Sequence, residues 1–176
     1  MALDKTWDKV NRYFRKNSRD NWGDTKAIDD EHLLRLYDFR KWLGVPIHVT
    51  HGVKTTGHST KSYHYPRKDK EGILRAYATD IVIPKYKSSP FDLILDATRF
   101  GFTGIGYYPH WRWDGVIVGG LHLDSRPLKW DPDETKNYSH SRWLGVLNDE
   151  GKQVYIGLSF ENLLEYSNYG VTENFH

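Results

Sequence analysis

Residues 73–84 have the sequence ILRAYATDIVIP, in which β-branched and aromatic residues continue up to a terminating Pro84. This composition is typical of a β-strand. Asp80 lies in the middle of the stretch, where a carboxylate is unfavourable by propensity and costly if it is buried without a partner. Asp80 therefore either faces solvent while Ile81 and Ile83 face the core, or it is compensated by a positive charge or a metal ion.

The segments around this strand predict a mixed fold. Residues 29–44, DDEHLLRLYDFRKWLG, have capping aspartates, apolar residues near helical spacing and a terminal glycine, which together predict a helix. Residues 88–101, SSPFDLILDATRFG, predict a second helix, because serines precede a first-turn proline. The remaining predicted elements are strands within 46–51, 101–109 and 115–124, a hairpin within 143–158 and a helix within 159–168. Helices and strands do not alternate strictly, so the pattern favours an α+β fold.

The bulk composition restricts the class of protein. The chain has 176 residues with no repeat or linker, which predicts one domain over 1–176. Its 15% aromatic content is typical of a folded protein, and a net charge of +2 lacks the concentrated positive field of a dedicated nucleic-acid binder. The absence of cysteine excludes disulfides, thiolate zinc sites and a cysteine nucleophile. A metal ion would need the nine histidines and the carboxylates as ligands.

The amino-terminal stretch MALDKTWDKVNRYFRK carries charges throughout, so we expect no signal peptide, and no segment approaches the ~20 apolar residues of a membrane span. The basic and aromatic residues of this stretch also raise a weaker alternative, a nucleic-acid role.

One pair of side chains carries a chemical signal on spacing alone. In GVIVGGLHLD (115–124), His122 and Asp124 are two residues apart on a predicted strand and share a face. They form either a metal-ligand or acid–base pair, or an ordinary surface hydrogen bond. Gly119 and Gly120 just upstream leave room for a group to approach the strand. For His32, in the first turn of a predicted helix, we expect solvent exposure and no role.

Several segments in order resemble one protein family. They are KWLGVPIHVTHGVKT, SYHYP followed by AYATDIVI, FTGIGYYP, LHLDSR and PLKW, and they span about residues 30–130. The chain is similar here to the zinc D-alanyl-D-alanine carboxypeptidases and related peptidoglycan endopeptidases, most closely to the branch found in phage and prophage genes. The resemblance implies a compact α+β domain with a central antiparallel sheet, helices packed on it and a zinc site in a surface cleft. It leaves the hairpin and helix within 141–168 without a role.

The resemblance also implies a ligand set. His64, Asp80 and His122 match the zinc ligands of the family, and two imidazoles with one carboxylate leave the fourth position that a catalytic zinc requires. The implied reaction is hydrolysis of peptide bonds in peptidoglycan stem peptides, by a phage-type lysis or tail-associated enzyme. Such an enzyme would be made in the cytoplasm and act on the cell wall after release or as part of a virion, with other virion proteins as partners.

The chain departs from the family pattern in ways that affect the catalytic base. Relatives place the base two or three positions before the last zinc histidine, where this chain has Gly119 and Gly120. Our first choice for the base is Asp124, which alternatively orients a ligand. His51 and His58 are alternative candidates for the catalytic base.

Other departures concern the substrate. Lys54 stands where relatives carry an arginine that clamps the substrate carboxylate. The resemblance implies that Ser62 is a hydrogen-bonding neighbour of the site and Tyr108 a substrate-side aromatic, and Arg126 is either a carboxylate clamp or part of a structural ion pair. Between His64 and Asp80, an insertion (66–75, PRKDKEGILR) predicts a hairpin or flap over the cleft. These departures also motivate an alternative function, a non-catalytic cell-wall or virion binding module that retains the zinc site.

Overall fold

The computed structural model describes residues 2–14, 19–56, 61–126 and 140–167. In this part of the chain there are four helices, α1 (Ala2–Val10), α2 (Asp30–Leu43), α3 (Pro90–Arg99) and α4 (Phe160–Ser167). The strands are β1 (His48–His51), β2 (Arg67–Lys68), β3 (Leu74–Arg75), β4 (Ala78–Val82), β5 (Gly104–Tyr108), β6 (Arg112–Trp113), β7 (Val116–Ile117), β8 (Gly120–Asp124), β9 (Ser141–Leu147) and β10 (Gln153–Gly157). The predicted α+β class is confirmed.

The central sheet has six strands in the order β1-β4-β8-β5-β9-β10. All neighbouring pairs are antiparallel except β5 and β9, which are parallel. The sheet is therefore mixed, whereas the family resemblance implied an antiparallel one. The parallel pair arises because β8 and β9 run in opposite directions and flank β5 on its two sides.

Two of the three predicted helices begin at the capping residues that the sequence indicates. Asp29 caps α2 by accepting a hydrogen bond from the backbone N–H of His32 at 2.9 Å, and Gly44 ends the helix with a φ of 68°. Ser89 and Asp92 form a reciprocal capping box at the start of α3. A cap of this kind contributes about 1 kcal/mol to helix stability.

The stretch 73–84 forms two strands with different partners. Leu74–Arg75 pair with Arg67–Lys68 in a separate two-stranded hairpin, and Ala78–Val82 form β4 near the centre of the main sheet. All five residues of β4 are buried. The insertion at 66–75 is thus a hairpin, as predicted. Its Arg75 lies 3.5 Å from Asp69 and 4.0 Å from Asp30, which ties the hairpin to the start of α2.

The hydrophobic core lies between the sheet and the helices, and α1 packs on α2. Leu121 and Leu123 belong to this core, because residues that alternate with His122 along β8 leave the opposite face of the strand. The expectation that His32 is exposed to solvent is wrong, because its side chain is fully buried. Its ring nitrogens lie 2.9 Å from Ser125 Oγ and 3.1 Å from Thr79 Oγ1. Burial lowers the pKa of His32 to about 3, so the ring is neutral and links α2 to β4 and to the end of β8.

Within the described residues, no helix combines the length and the apolar composition that crossing a bilayer requires.

Candidate metal centre

Adjacent strands place two of the predicted ligands directly opposite one another. Asp80 on β4 and His122 on β8 are register partners in the antiparallel ladder, so their side chains leave the same face of the sheet. His64 reaches this face from the loop that precedes β2. Two backbone hydrogen bonds of 2.9 Å fasten the loop, from Tyr77 N–H to the Tyr63 carbonyl and from Lys54 N–H to the His64 carbonyl.

Three ligating atoms converge at this point. His64 Nε2 lies 3.1 Å from Asp80 Oδ1 and 3.1 Å from His122 Nδ1, and His122 Nδ1 lies 2.9 Å from Asp80 Oδ1. The ligands of a tetrahedral zinc ion with bonds of ~2.0–2.1 Å lie about 3.3 Å apart, so the observed triangle is close to one face of such a tetrahedron. The group His64, Asp80 and His122 could therefore hold a metal ion.

The hydrogen bonds at the far sides of the two rings define their tautomers. His64 Nδ1 lies 2.7 Å from the carbonyl oxygen of Gly52, which can only accept, so Nδ1 carries the proton. His122 Nε2 lies 3.3 Å from the carboxylate oxygen Asp124 Oδ2 and likewise donates. In the neutral rings the converging nitrogens are then both unprotonated. Two imidazole lone pairs and a carboxylate oxygen face one point, which is an arrangement that a cation stabilises.

The same arrangement attracts a proton where no metal is bound. Burial opposes the charged form of His122, but hydrogen bonds to Asp124 and Asp80 and the charges of both carboxylates outweigh it and raise its pKa to about 9. Burial also opposes ionisation of Asp80, and the bonds to His122 and His64 outweigh it and hold the Asp80 pKa far below its usual range. A proton and a metal ion thus compete for the same position.

Asp124 is fully buried behind this centre. Its Oδ1 accepts from Arg126 Nε at 2.7 Å, and its Oδ2 contacts both Arg126 Nη2 and His122 Nε2. Burial opposes its ionisation, but the hydrogen bonds from Arg126 and His122 hold its pKa well below the usual range. Asp124 is therefore an ionised group hydrogen-bonded to His122, and it forms an ion pair with Arg126, which is one of the two roles predicted for that arginine.

The centre opens into a cleft of about 570 Å³. The predicted residues Ser62 and Tyr108 line it together with the three converging side chains, and further lining residues are Lys61, Trp111, Trp143, Gln153 and Tyr155. Three of these lining residues, Trp143, Gln153 and Tyr155, come from the β9–β10 hairpin, for which the sequence analysis predicts no role. None of the described residues that line the cleft belongs to the hairpin at 66–75.

The remaining predicted residues lie around the centre. His51 on β1 is partly exposed, and its Nδ1 lies 3.7 Å from Asp80 Oδ2. Burial lowers the pKa of His51, and the charge of Lys54, three residues later, lowers it further. The missing side chain of Gly120 leaves space beside the strand, as predicted, and the ring of Trp111 fills this space. His58 lies outside the described residues.

None of the protein-family models, curated proteins and solved structures compared with the chain matches it.

Proposed function

We propose that the protein is a zinc-dependent peptidase that hydrolyses peptide bonds in the stem peptides of bacterial peptidoglycan. The observation that carries the proposal is the convergence of His64 Nε2, His122 Nδ1 and Asp80 Oδ1 within 3.1 Å, among the residues that line an open pocket. Two neutral imidazoles and one carboxylate are a donor set that zinc enzymes use with a fourth position open to water or substrate. The order of the sequence motifs supports the choice of substrate, as does their resemblance to the peptidoglycan peptidases.

When bound, zinc supplies Lewis-acid polarisation of the scissile carbonyl and lowers the pKa of a water molecule. Asp124 keeps the Nε2 proton of His122 in place and so directs the Nδ1 lone pair at the metal position. Since both oxygens of Asp124 are already bonded and its side chain is fully buried, its contacts favour this orienting role over that of the base.

His51 is the described residue best suited to move protons during the reaction. Its side chain is 44% exposed and lies beside Asp80 without being one of the three converging groups. An imidazole at the edge of a metal centre can accept a proton from the attacking water and deliver it to the leaving amine. The substrate then lies along the cleft beside Ser62 and Tyr108. Lys54 is not among the described residues that line the cleft, but its charge acts on His51, and from there it provides a positive charge for a substrate carboxylate.

A cell-wall or virion binding module with a retained metal site is the second candidate. The engagement of Asp124 by Arg126 favours it, because the ion pair occupies a carboxylate that could otherwise be the base. The glycines at 119 and 120 favour it too, because they stand where the peptidases that the chain resembles place a base. In either case we place the protein with a phage-type lysis or virion apparatus that acts on the cell wall.

The test measures bound metal and cleavage on the same preparations. We expect about one zinc per chain, and release of new amino groups from purified sacculi, from the wild-type protein. His122→Ala should lose both, because Asp80 and His64 then lack their third partner. The exposed His140 provides a matched control, since His140→Ala removes an imidazole outside the centre.

The outcomes separate the candidates. The peptidase is supported if the wild-type protein and His140→Ala both bind zinc and cleave sacculi, while His122→Ala does neither. Stoichiometric zinc and retained binding to sacculi without any cleavage support the binding module. Unchanged cleavage by His122→Ala contradicts the metal mechanism.

A further inference from the structure

The face of the central sheet beside the metal centre is covered by aromatic rings that lie directly on glycines. A Cβ at Gly106 on β5 would lie 2.3 Å from the ring of Trp143. A Cβ at Gly120 on β8 would lie 2.2 Å from Trp111, and one at Gly145 on β9 would lie 2.2 Å from Tyr108. Any side chain at these positions would meet the ring atoms. Three adjacent strands therefore each use a glycine to seat one ring against the backbone.

The seated rings, Tyr108, Trp111 and Trp143, form a connected surface that we call the aromatic floor. Tyr108 and Trp111 are stacked with centroids 4.1 Å apart and planes inclined by 13°. Trp143 donates its indole N–H to the Tyr108 hydroxyl at 3.1 Å. These contacts hold the rings in one arrangement before any ligand arrives, which reduces the entropy that binding must overcome.

The floor belongs to the cleft and adjoins the metal centre. The Trp143 and His122 rings are 5.2 Å apart, and all three rings line the cleft. Tyr155 extends the surface outward, with 64% of its area exposed, and Gln153 and Ser62 supply polar groups beside it. Tyr108 is only 5% exposed and stacks on Trp111, so the ring surface that a ligand can reach belongs to the partly exposed Trp111 and Trp143 and to Tyr155. Accessible aromatic surface next to a few polar groups is typical of a ligand site.

The chemistry of the lining selects the class of ligand. Flat aromatic faces with hydroxyl and amide partners suit a pyranose ring, whose C–H face packs on an aromatic ring and whose hydroxyls need hydrogen bonds at the edge. A nucleobase would also stack, but its phosphates need several cations, and Lys61 is the only Lys or Arg among the described lining residues. The small side chains of stem peptides do not by themselves require four aromatic rings.

We propose that the aromatic floor binds a pyranose ring of the wall glycan, so that the enzyme recognises the sugar attached to the peptide it cleaves. The choice of wall sugar rests on the proposed function. The floor then provides a sugar subsite beside the metal centre, and peptides that still carry their sugar are the preferred substrates.

The direct test titrates the zinc-loaded 176-residue chain with N,N′,N″-triacetylchitotriose and follows tryptophan fluorescence. We expect saturable binding with a Kd of about 0.1–1 mM, weakened at least roughly tenfold by Trp111→Ala and by Tyr155→Ala. Tyr155→Ala keeps the test valid if Trp111→Ala fails to fold, because the Tyr155 ring is mostly exposed. Trp42→Ala is the matched control, since Trp42 is 62% exposed on α2 and lines a different groove. No saturation of the wild-type signal by about 10 mM trisaccharide, or tighter binding of a single-stranded oligothymidylate, overturns the proposal.

A second measurement compares kcat/KM for a muropeptide that carries its sugars with the value for the same peptide without them. The sugar subsite is supported if kcat/KM is higher for the muropeptide than for the peptide, and if Tyr155→Ala lowers the muropeptide value towards that of the peptide. If zinc-dependent cleavage occurs with equal kcat/KM for the muropeptide and the peptide, the sugar subsite is overturned and the proposed peptidase activity stands. If neither the muropeptide nor the peptide is cleaved but the trisaccharide still binds, the proposed peptidase activity is overturned and the sugar subsite is supported.

Discussion

His64 Nε2 and His122 Nδ1 lie 3.1 Å apart, and hydrogen bonds at the opposite side of each ring leave both atoms unprotonated in the neutral imidazoles. Two lone pairs at this distance repel one another unless a cation or a proton lies between them. Asp80 Oδ1 adds a negative charge to the same point. The properties of the centre therefore depend on what occupies this position.

Removing the metal should destabilise the fold. A metal that binds only the native state stabilises it by about 2.7 kcal/mol when its concentration is 100 times Kd. For a domain of this size, that corresponds to a fall in Tm of roughly 5–10 °C on adding EDTA. Differential scanning calorimetry with EDTA and then with excess zinc measures the effect.

The control for this prediction is His64→Ala, whose melting temperature should not respond to zinc. A wild-type Tm that is the same with EDTA and with zinc would contradict a native-state metal site.

Zinc affinity should fall as the pH falls. The pKa of His122 in the metal-free protein is raised to about 9, so below that pH the ring holds a proton that zinc must displace. One displaced proton lowers the apparent association constant about tenfold for each pH unit below about 9, and the constant should level off above it. Zinc titrations against a competing chelator between about pH 6 and pH 9 measure the slope.

Calorimetric titrations in two buffers with different ionisation enthalpies count the released protons independently. An affinity that does not change over this pH range would show that no proton occupies the metal position.

Part of the centre could be predicted from local sequence patterns. Asp80 is unusual inside a β-branched stretch, and the two-residue period places His122 and Asp124 on one face of a strand. His64 carried no such signal, because a histidine in a loop has no periodicity. Its position depends on a hydrogen bond between Tyr77 and Tyr63, which only the folded loop makes. The motif resemblance was therefore needed to include it.

The role of the β9–β10 hairpin could not be predicted locally either. Trp143 reaches the cleft because β9 pairs in parallel with β5, and sequence patterning gives no information on which distant strands become neighbours. The prediction that His32 is exposed to solvent was wrong for a related reason. Its polar first-turn position indicated solvent, whereas its partners Thr79 and Ser125 are 47 and 93 residues away.

Asp124→Asn should distinguish the two roles considered for Asp124. If the carboxylate orients His122, its loss should weaken zinc binding by about 10- to 100-fold, and excess zinc should restore most of the cleavage rate. If the carboxylate is the base, excess zinc should fill the site without restoring cleavage. Zinc affinity and kcat at saturating zinc are measured on the same preparation.

Asp149→Asn is the control for charge alone, because Asp149 is exposed in the β9–β10 turn. Circular dichroism must show that Asp124→Asn folds, since breaking its buried pair with Arg126 costs about 3–5 kcal/mol. A variant with normal zinc affinity and a low kcat would contradict the orienting role.

His51→Ala should separate proton transfer from metal binding. His51 is not one of the three converging groups, so the variant should keep its zinc, while kcat falls by about 10²–10⁴ if the imidazole transfers protons. Added imidazole should then recover part of the rate, because it can enter the space beside Asp80 that the 44% exposed side chain leaves. His48→Ala is the matched control, since His48 lies on the same strand but stacks on Trp113 at 4.4 Å. Unchanged kcat in His51→Ala, or a low kcat that imidazole does not raise, would transfer the role of the base to another residue.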